Sequence, residues 1–283
     1  MKVTGLHTYP VKSLGGLDHA SVELEMRGLG CDRRYMLVDE DNAFLTQREL
    51  PLLATFRVEH RDERFVIHLP DGGEVKLRAS DDSDTRSHVV VWNDIVSAAT
   101  VEADISAKLS ASLGRAVRLV YMDDNARRIA DQVFTVDPTP VSFADGFPVL
   151  LTSEASLAAL NHQIQKNGSN PVPMDRFRAN IVIDGIHAFD EDTFLTMKIG
   201  ALTFDVVKPC PRCVVPTRDQ KTGLGADDNE PIRALTQIRR SLEKDLPGVF
   251  FGVNLVPKAV GRLSLGDPVE IVARRAVPWA VRS

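Results

Sequence analysis

Two cysteines stand close together in Cys210-Pro211-Arg212-Cys213, with Lys208, Arg212 and Arg218 near them in the chain. Cations beside a thiol favour its thiolate, the form that ligates a soft metal or acts as a nucleophile. The residues alone leave three other readings open. The pair can be half of a zinc site, whose two further ligands would have to come from Cys31 and the scattered histidines. It can be a redox pair, although that motif opens a helix and Val214, Val215 and Pro216 disfavour one. It can also be two inert core thiols.

A second set of residues suits a phosphate. Tyr9-Pro10-Val11-Lys12-Ser13, followed by Gly15-Gly16, puts an ammonium and a hydroxyl on a glycine-rich turn whose backbone N–H groups can face an anion. Arg33 in Asp32-Arg33 and Arg48 in Thr46-Gln47-Arg48 sit beside predicted strand ends, and guanidinium groups match phosphate bidentately. Surface ion pairs and a solvated lysine are the competing readings. Arg176-Phe177-Arg178-Ala179-Asn180 places two arginines and an amide at the start of an apolar strand, where a ligand head group can be gripped.

The elements that must hold these residues read mainly as short strands. Up to residue 80 they are His7 to Val11, Ala20 to Leu24, Arg34 to Asp39, Ala54 to His60, Arg64 to Leu69 and Glu74 to Leu77. Asp71-Gly72-Gly73 signals a hairpin, and Asp81 to Asp84 a polar loop. Val89 to Trp92 reads as another strand. Ile105, Leu109 and Leu113 give helical spacing, from which a helix over Ser97 to Leu113 ending at Gly114 is predicted.

The polar stretch Asp123 to Arg128 and the proline-containing loop at Asp137-Pro138-Thr139-Pro140 suggest a boundary between halves 1–122 and 123–283. Beyond it, Ser153 to Lys166 is the clearest helix, with Ser153 as its cap. Strands are predicted at Ala179 to Asp184, Met197 to Ile199, Leu202 to Val207, Gly252 to Leu255 and Val269 to Ala273, with a helix from Pro231 to Leu246. Cys213 is placed at a turn after a strand and before an extended Val214 to Thr217. Many strands with few helices predict a mainly β, α+β architecture.

Composition bounds the partners. With 34 Lys+Arg against 39 Asp+Glu the net charge is -5, so no global basic field exists to attract a nucleic-acid polymer. The 43% hydrophobic and 26% charged residues are those of a globular protein, and no apolar run approaches a membrane span. Three cysteines and no secretory signal predict a cytoplasmic, reducing setting.

Taken in chain order, the set resembles the MOSC superfamily, in the subgroup with an N-terminal β-barrel domain that includes the amidoxime-reducing components. The resemblance is carried by Tyr9 to Ser13, Asp32-Arg33, Thr46-Gln47-Arg48, Val91-Trp92, Phe143-Ala144-Asp145-Gly146-Phe147-Pro148, Ser153 to Leu157, Arg176 to Asn180 and Cys210 to Cys213 with Thr217 and Gly223. It implies an N-terminal β-barrel domain over 1–122 and a MOSC β-barrel domain with a few helices over 123–283. It also implies a molybdenum cofactor (Mo-molybdopterin) in a cleft between them, with Cys213 as the metal ligand and Cys210 secondary.

On the same resemblance Lys12, Ser13, Arg33, Arg48, Arg178, Asn180 and Arg212 become candidates for the cofactor's phosphate and pterin. Asp145 is expected to accept hydrogen bonds from the pterin, and Gly146 to allow close approach. The implied reaction is a two-electron reduction that cleaves an N–O bond in amidoximes, hydroxylamines or N-hydroxylated nucleobases and releases water. Three cysteines cannot supply both a metal ligand and a four-cysteine cluster, so a separate reductase or ferredoxin-type protein is expected to bring the electrons. The alternative is a molybdenum-cofactor or sulfur carrier that uses Cys213 without turnover.

Overall fold

A computed structural model describes residues 1–62, 64–77 and 85–282. The polar loop expected at Asp81 to Asp84 lies outside them. The chain begins with β1 (Lys2–Thr8), β2 (Leu17–Asp18), β3 (Ser21–Glu25), β4 (Gly28–Leu29) and β5 (Tyr35–Val38). It continues through β6 (Arg57–Arg61), β7 (Arg64–His68), β8 (Glu74–Lys76), β9 (Arg86–Val91), β10 (Asp94–Thr100), α1 (Ala103–Leu113) and β11 (Arg118–Tyr121). After a long irregular segment come β12 (Val149–Ser153), α2 (Glu154–Lys166), β13 (Ile181–Asp184), β14 (Phe194–Ile199) and β15 (Leu202–Pro211). The chain closes with α3 (Ile232–Ile238), β16 (Phe250–Pro257), β17 (Gly261–Ser264) and β18 (Val269–Arg274).

The strands form one eight-stranded sheet, ordered β18-β14-β15-β16-β12-β13-β1-β2, and smaller sheets β5-β11-β10-β9, β17-β3-β4 and β6-β7-β8. The large sheet is built mostly from the C-terminal half, yet its far end is β1 and β2, with β1 paired antiparallel to β13. Late in the chain, β17 pairs with β3. Val3, Leu6, Leu24, Leu151, Ile183, Phe204, Leu255 and Leu263 share one buried cluster as a result. A second cluster, around Val11, Leu37, Phe56, Ile67 and Leu109, fills the N-terminal half beneath α1. Removing such apolar surface from water at roughly 25 cal/mol per Å² is the main stabilising contribution to each.

The hairpin at Asp71-Gly72-Gly73 forms, with Gly72 at φ 89 and β7 paired to β8. Ser153 caps α2 by accepting from the Ser156 N–H at 3.1 Å, and Gly114 ends α1 in the left-handed region at φ 65.

Three expectations are corrected. The helix predicted from Ser97 starts at Ala103, because residues up to Thr100 pair with β9 on one side and β11 on the other. The helix predicted to reach Leu246 ends at Ile238, since the Arg239 carbonyl accepts from Phe250 and Ser241 N–H donates to Gly248. The segment after Cys213 is a single 3₁₀ turn, Val215–Thr217, rather than extended, and Thr217 Oγ1 closes it on the Val214 carbonyl at 2.8 Å.

Candidate functional site: a basic cleft with two thiols

β15 runs past Val207 to Pro211, with register shifts against β16 where Pro209 and Pro211 cannot donate to the ladder. The extension carries Lys208 and Cys210 into a cleft of about 340 Å³, and Cys213 follows on its wall. All ten residues singled out as site candidates line this one cleft: Lys12, Ser13, Arg33, Arg48, Asp145, Gly146, Arg178, Asn180, Arg212 and Cys213. They come from six separated stretches of chain.

Lys12 is buried and donates from Nζ to Asp145 Oδ1 at 2.6 Å and to the Phe143 carbonyl at 2.8 Å. Protein surrounds Asp145, although 70% of its side chain faces the open cleft. Burial alone would raise its pKa; the ammonium of Lys12, then Arg48 and Arg33, reverse that and hold the carboxyl below the usual range. Burial pulls the Lys12 ammonium down while Asp145 opposes it. The carboxylate's direction governs, and the pair is ionised at neutral pH.

Arg33 and Arg178 both pack on the ring of Tyr9, 4.3 and 4.1 Å from its centroid. Burial pushes the Tyr9 hydroxyl up to about 12, so it stays protonated and donates to the Ala179 carbonyl at 3.2 Å. Arg33 has its own carboxylate, with Nη1 2.7 Å from Asp32 Oδ2. Arg178 has none: burial and the neighbouring Arg33 lower it to about 10, and Nη1 donates only to Gln220 Oε1 at 3.2 Å. Arg33, Arg178 and Ser13 all hold positive φ, which fixes them on tight turns facing the cleft.

Arg48 lies over the Trp92 ring at 4.4 Å. Arg212 donates from Nη1 to Cys210 Sγ at 3.0 Å and from Nη2 to the Phe177 carbonyl at 2.8 Å. The Cys213 sulfur accepts from the Val215 N–H at 3.5 Å. Both thiols are free and half-buried. Asn180 is committed largely to the fold, since its Oδ1 accepts from Leu150 N–H at 3.1 Å and its Nδ2 donates to the His7 carbonyl at 3.2 Å.

Further lining residues did not stand out in the sequence as site residues: Gln47, Trp92, Phe147, Phe177, Lys208 and Asn254. Gln47 exchanges two amide hydrogen bonds with Gln220, at 3.1 and 3.0 Å. Trp92 carried a signal in standing at the end of an apolar strand, where it adopts φ 57. The Gln47–Gln220 exchange joins residues far apart in the chain and had none.

The alternative readings of the thiol pair lose support. Among the described residues no group of three or more His, Cys, Asp and Glu is placed to hold a metal, so no zinc site is assembled. A short 3₁₀ turn, not a helix, follows Cys213, unlike a redox pair.

A large anionic group fits the cleft. Arg48 Nε, Arg178 Nη2 and Arg212 Nε are buried N–H groups with no acceptor among the described residues, a costly state unless an acceptor arrives from outside. A side chain at Gly146 would meet no atom within 4 Å, so the backbone there is open to close approach.

Fold and cleft together describe a two-part β protein with a basic site between the parts, and comparison with known proteins names the class. Residues 1–116 match the MOSC N-terminal beta barrel domain and residues 138–270 the MOSC domain, and the chain belongs to this MOSC family. It is 30% identical to mitochondrial amidoxime reducing component 2 of Bos taurus over 282 residues, covering 94% of this chain and 82% of the relative. It is 28% identical to mitochondrial amidoxime-reducing component 1 of Homo sapiens, covering 96% and 83%. Molybdenum cofactor sulfurase of Homo sapiens is 29% identical over 78% of this chain, which spans 27% of that larger protein. Among the described residues no helix is long and apolar enough to cross a membrane.

Proposed function

We propose that the chain is a molybdenum-cofactor-dependent reductase of N-hydroxylated compounds. The observation that carries the reading is the cleft itself. It offers a soft sulfur donor, Cys213, beside three guanidinium groups whose buried N–H groups lack acceptors among the described residues. The names of the relatives, which are amidoxime-reducing components, agree with it.

When bound, the cofactor would supply the two-electron chemistry that breaks the N–O bond. The chain's part is to hold and orient. Cys213 would ligate the metal, its sulfur placed by the Val215 N–H that it accepts from. Arg48, Arg178 and Arg212 would take the phosphate and pterin through their open N–H groups, with Arg33 and Ser13 beside them. Asp145, kept ionised by Lys12, is an acceptor only and suits amino groups of the pterin. Gly146 leaves room, and Asn180 keeps β1 and β12 in place beneath the site. The three cysteines do not suffice for a four-cysteine cluster beside a metal ligand, so the electrons come from a separate donor protein. Free thiols at the site suit a reducing compartment such as the cytoplasm.

The similarity to molybdenum cofactor sulfurase favours a second reading, a cofactor or sulfur carrier. One experiment separates them. Protein made together with cofactor biosynthesis is assayed for molybdenum and for reduction of an N-hydroxylated base with a chemical reductant. Turnover is expected in wild type and in Cys210→Ala, and loss of both turnover and the metal–thiolate spectrum in Cys213→Ala. Molybdenum without turnover would favour the carrier, and loss confined to Cys210→Ala would overturn the ligand assignment.

A further inference from the structure

The cations of the cleft fall into two kinds. Lys12 and Arg33 each hold a carboxylate of the chain, whereas Arg48, Arg178, Arg212 and Lys208 make no ion pair among the described residues. The arginines present enclosed N–H groups that call for a fixed, buried acceptor, and the proposed cofactor answers that. Lys208 is different.

Among the described residues its ammonium has no hydrogen-bond partner, and it rests over the ring of Phe134 at 4.3 Å and that of Phe147 at 6.0 Å. Asp205, its near neighbour on β15, is taken by Lys258 at 2.6 Å. Asn254 donates to the Lys208 carbonyl at 3.3 Å and so holds this part of the strand. Strand alternation puts Lys208 and Cys210 on the same face, and both line the cleft.

An ammonium is therefore held at the cleft against two aromatic rings, with its three donors unspent. A compact point charge of this kind suits a phosphate. Phe147, also on the cleft wall, offers an apolar face to a planar ring.

We propose that Lys208 selects N-hydroxylated substrates that carry an anionic group, and that the fitting class is a nucleotide bearing an N-hydroxylated base. The proposal rests on the reductase reading above and adds the charge of the substrate to it. A neutral nucleoside would occupy the same place without the ion pair, and a cationic compound would be repelled.

The test compares N-hydroxycytidine monophosphate with N-hydroxycytidine on molybdenum-loaded protein, so that the scissile bond is the same and only the phosphate differs. Wild type should prefer the monophosphate by about tenfold or more in kcat/KM, through KM, as expected for one charge-assisted contact. The preference should shrink as salt is added. Lys208→Met should remove most of it and Lys208→Arg should keep it, with molybdenum content equal in all three proteins. A wild-type ratio near one, or a ratio that Lys208→Met does not move, would overturn the proposal. So would loss of molybdenum from Lys208→Met, which would hand the residue to the cofactor. Should neither probe turn over, the reductase reading alone fails, and calorimetric binding of the two probes decides this one. Tighter binding of the monophosphate, lost in Lys208→Met, upholds it; equal binding sinks it.

Discussion

Two of the places where the molecule buries charge do so to opposite ends. Beneath the N-terminus of α2, Glu191 accepts from Ser156 Oγ at 2.7 Å and Ser153 Oγ at 3.3 Å, while Asp192 pairs with Arg239, itself over the Phe189 ring. The acids there find their partners within the chain. In the cleft, four cations make no ion pair among the described residues. The first arrangement pairs its acids as folded and serves packing. The second is left open, which natural chains tolerate where a ligand supplies what is missing.

That contrast can be broken most sharply at Arg178. Because it is buried beside Arg33, Arg178→Ala should leave the thermal midpoint of cofactor-free protein unchanged or higher, while cofactor retention falls about tenfold to a hundredfold. Metal content after dialysis, read beside a melting curve, checks both halves; a large drop in midpoint with full retention would make Arg178 a packing residue like those under α2.

The packing cluster predicts the reverse pattern. Burial raises the Glu191 carboxyl to about 7 against an ordinary 4.5. A raised folded-state value means that its stabilising contribution is present below the ordinary pKa and is lost as pH rises through about 7. Stability should therefore fall by on the order of 2 kcal/mol between mildly acidic and mildly alkaline pH, and Glu191→Gln should flatten that slope. Denaturant titrations across this range measure it. A slope equal to wild type in the variant would show that Glu191 is not the titrating group. Cofactor retention should not follow this slope.

The smallest effect is expected at Gly146. Its backbone lies outside the left-handed region and a Cβ there meets nothing, so Gly146→Ala should change stability by less than about 0.5 kcal/mol. Cofactor loading should nevertheless fall, because the methyl group projects into open space at the cleft. Unchanged loading would mean that nothing approaches the backbone at this point.

Much of the cleft was legible in the sequence because its residues stand in short, ordered motifs, each with chemistry that a ligand can use. What escaped was set by partners distant in the chain. Ala98 and Ala99 look helical beside Ile105 and Leu109, yet their backbones pair with Arg86, Ser87 and Tyr121. The prolines at 209 and 211 suggest that a strand has ended, whereas β16 tolerates them by shifting register, and Lys208 reaches the site as a result. Arg239 leaves its helix where Asp192 holds its side chain and Phe250 takes its carbonyl. Local propensity carries none of these pairings.

The crossed strands have a consequence for how the chain can be divided. With β1 lodged in the sheet of the C-terminal half and β3 paired to β17 in the same core, the N-terminal half lends its first strands to the other. A cut between the halves would strip both of a neighbour and bare unpaired strand edges, the kind that invite aggregation. The two parts are thus inseparable as folding units, and the site walls they share are spliced together before any ligand arrives.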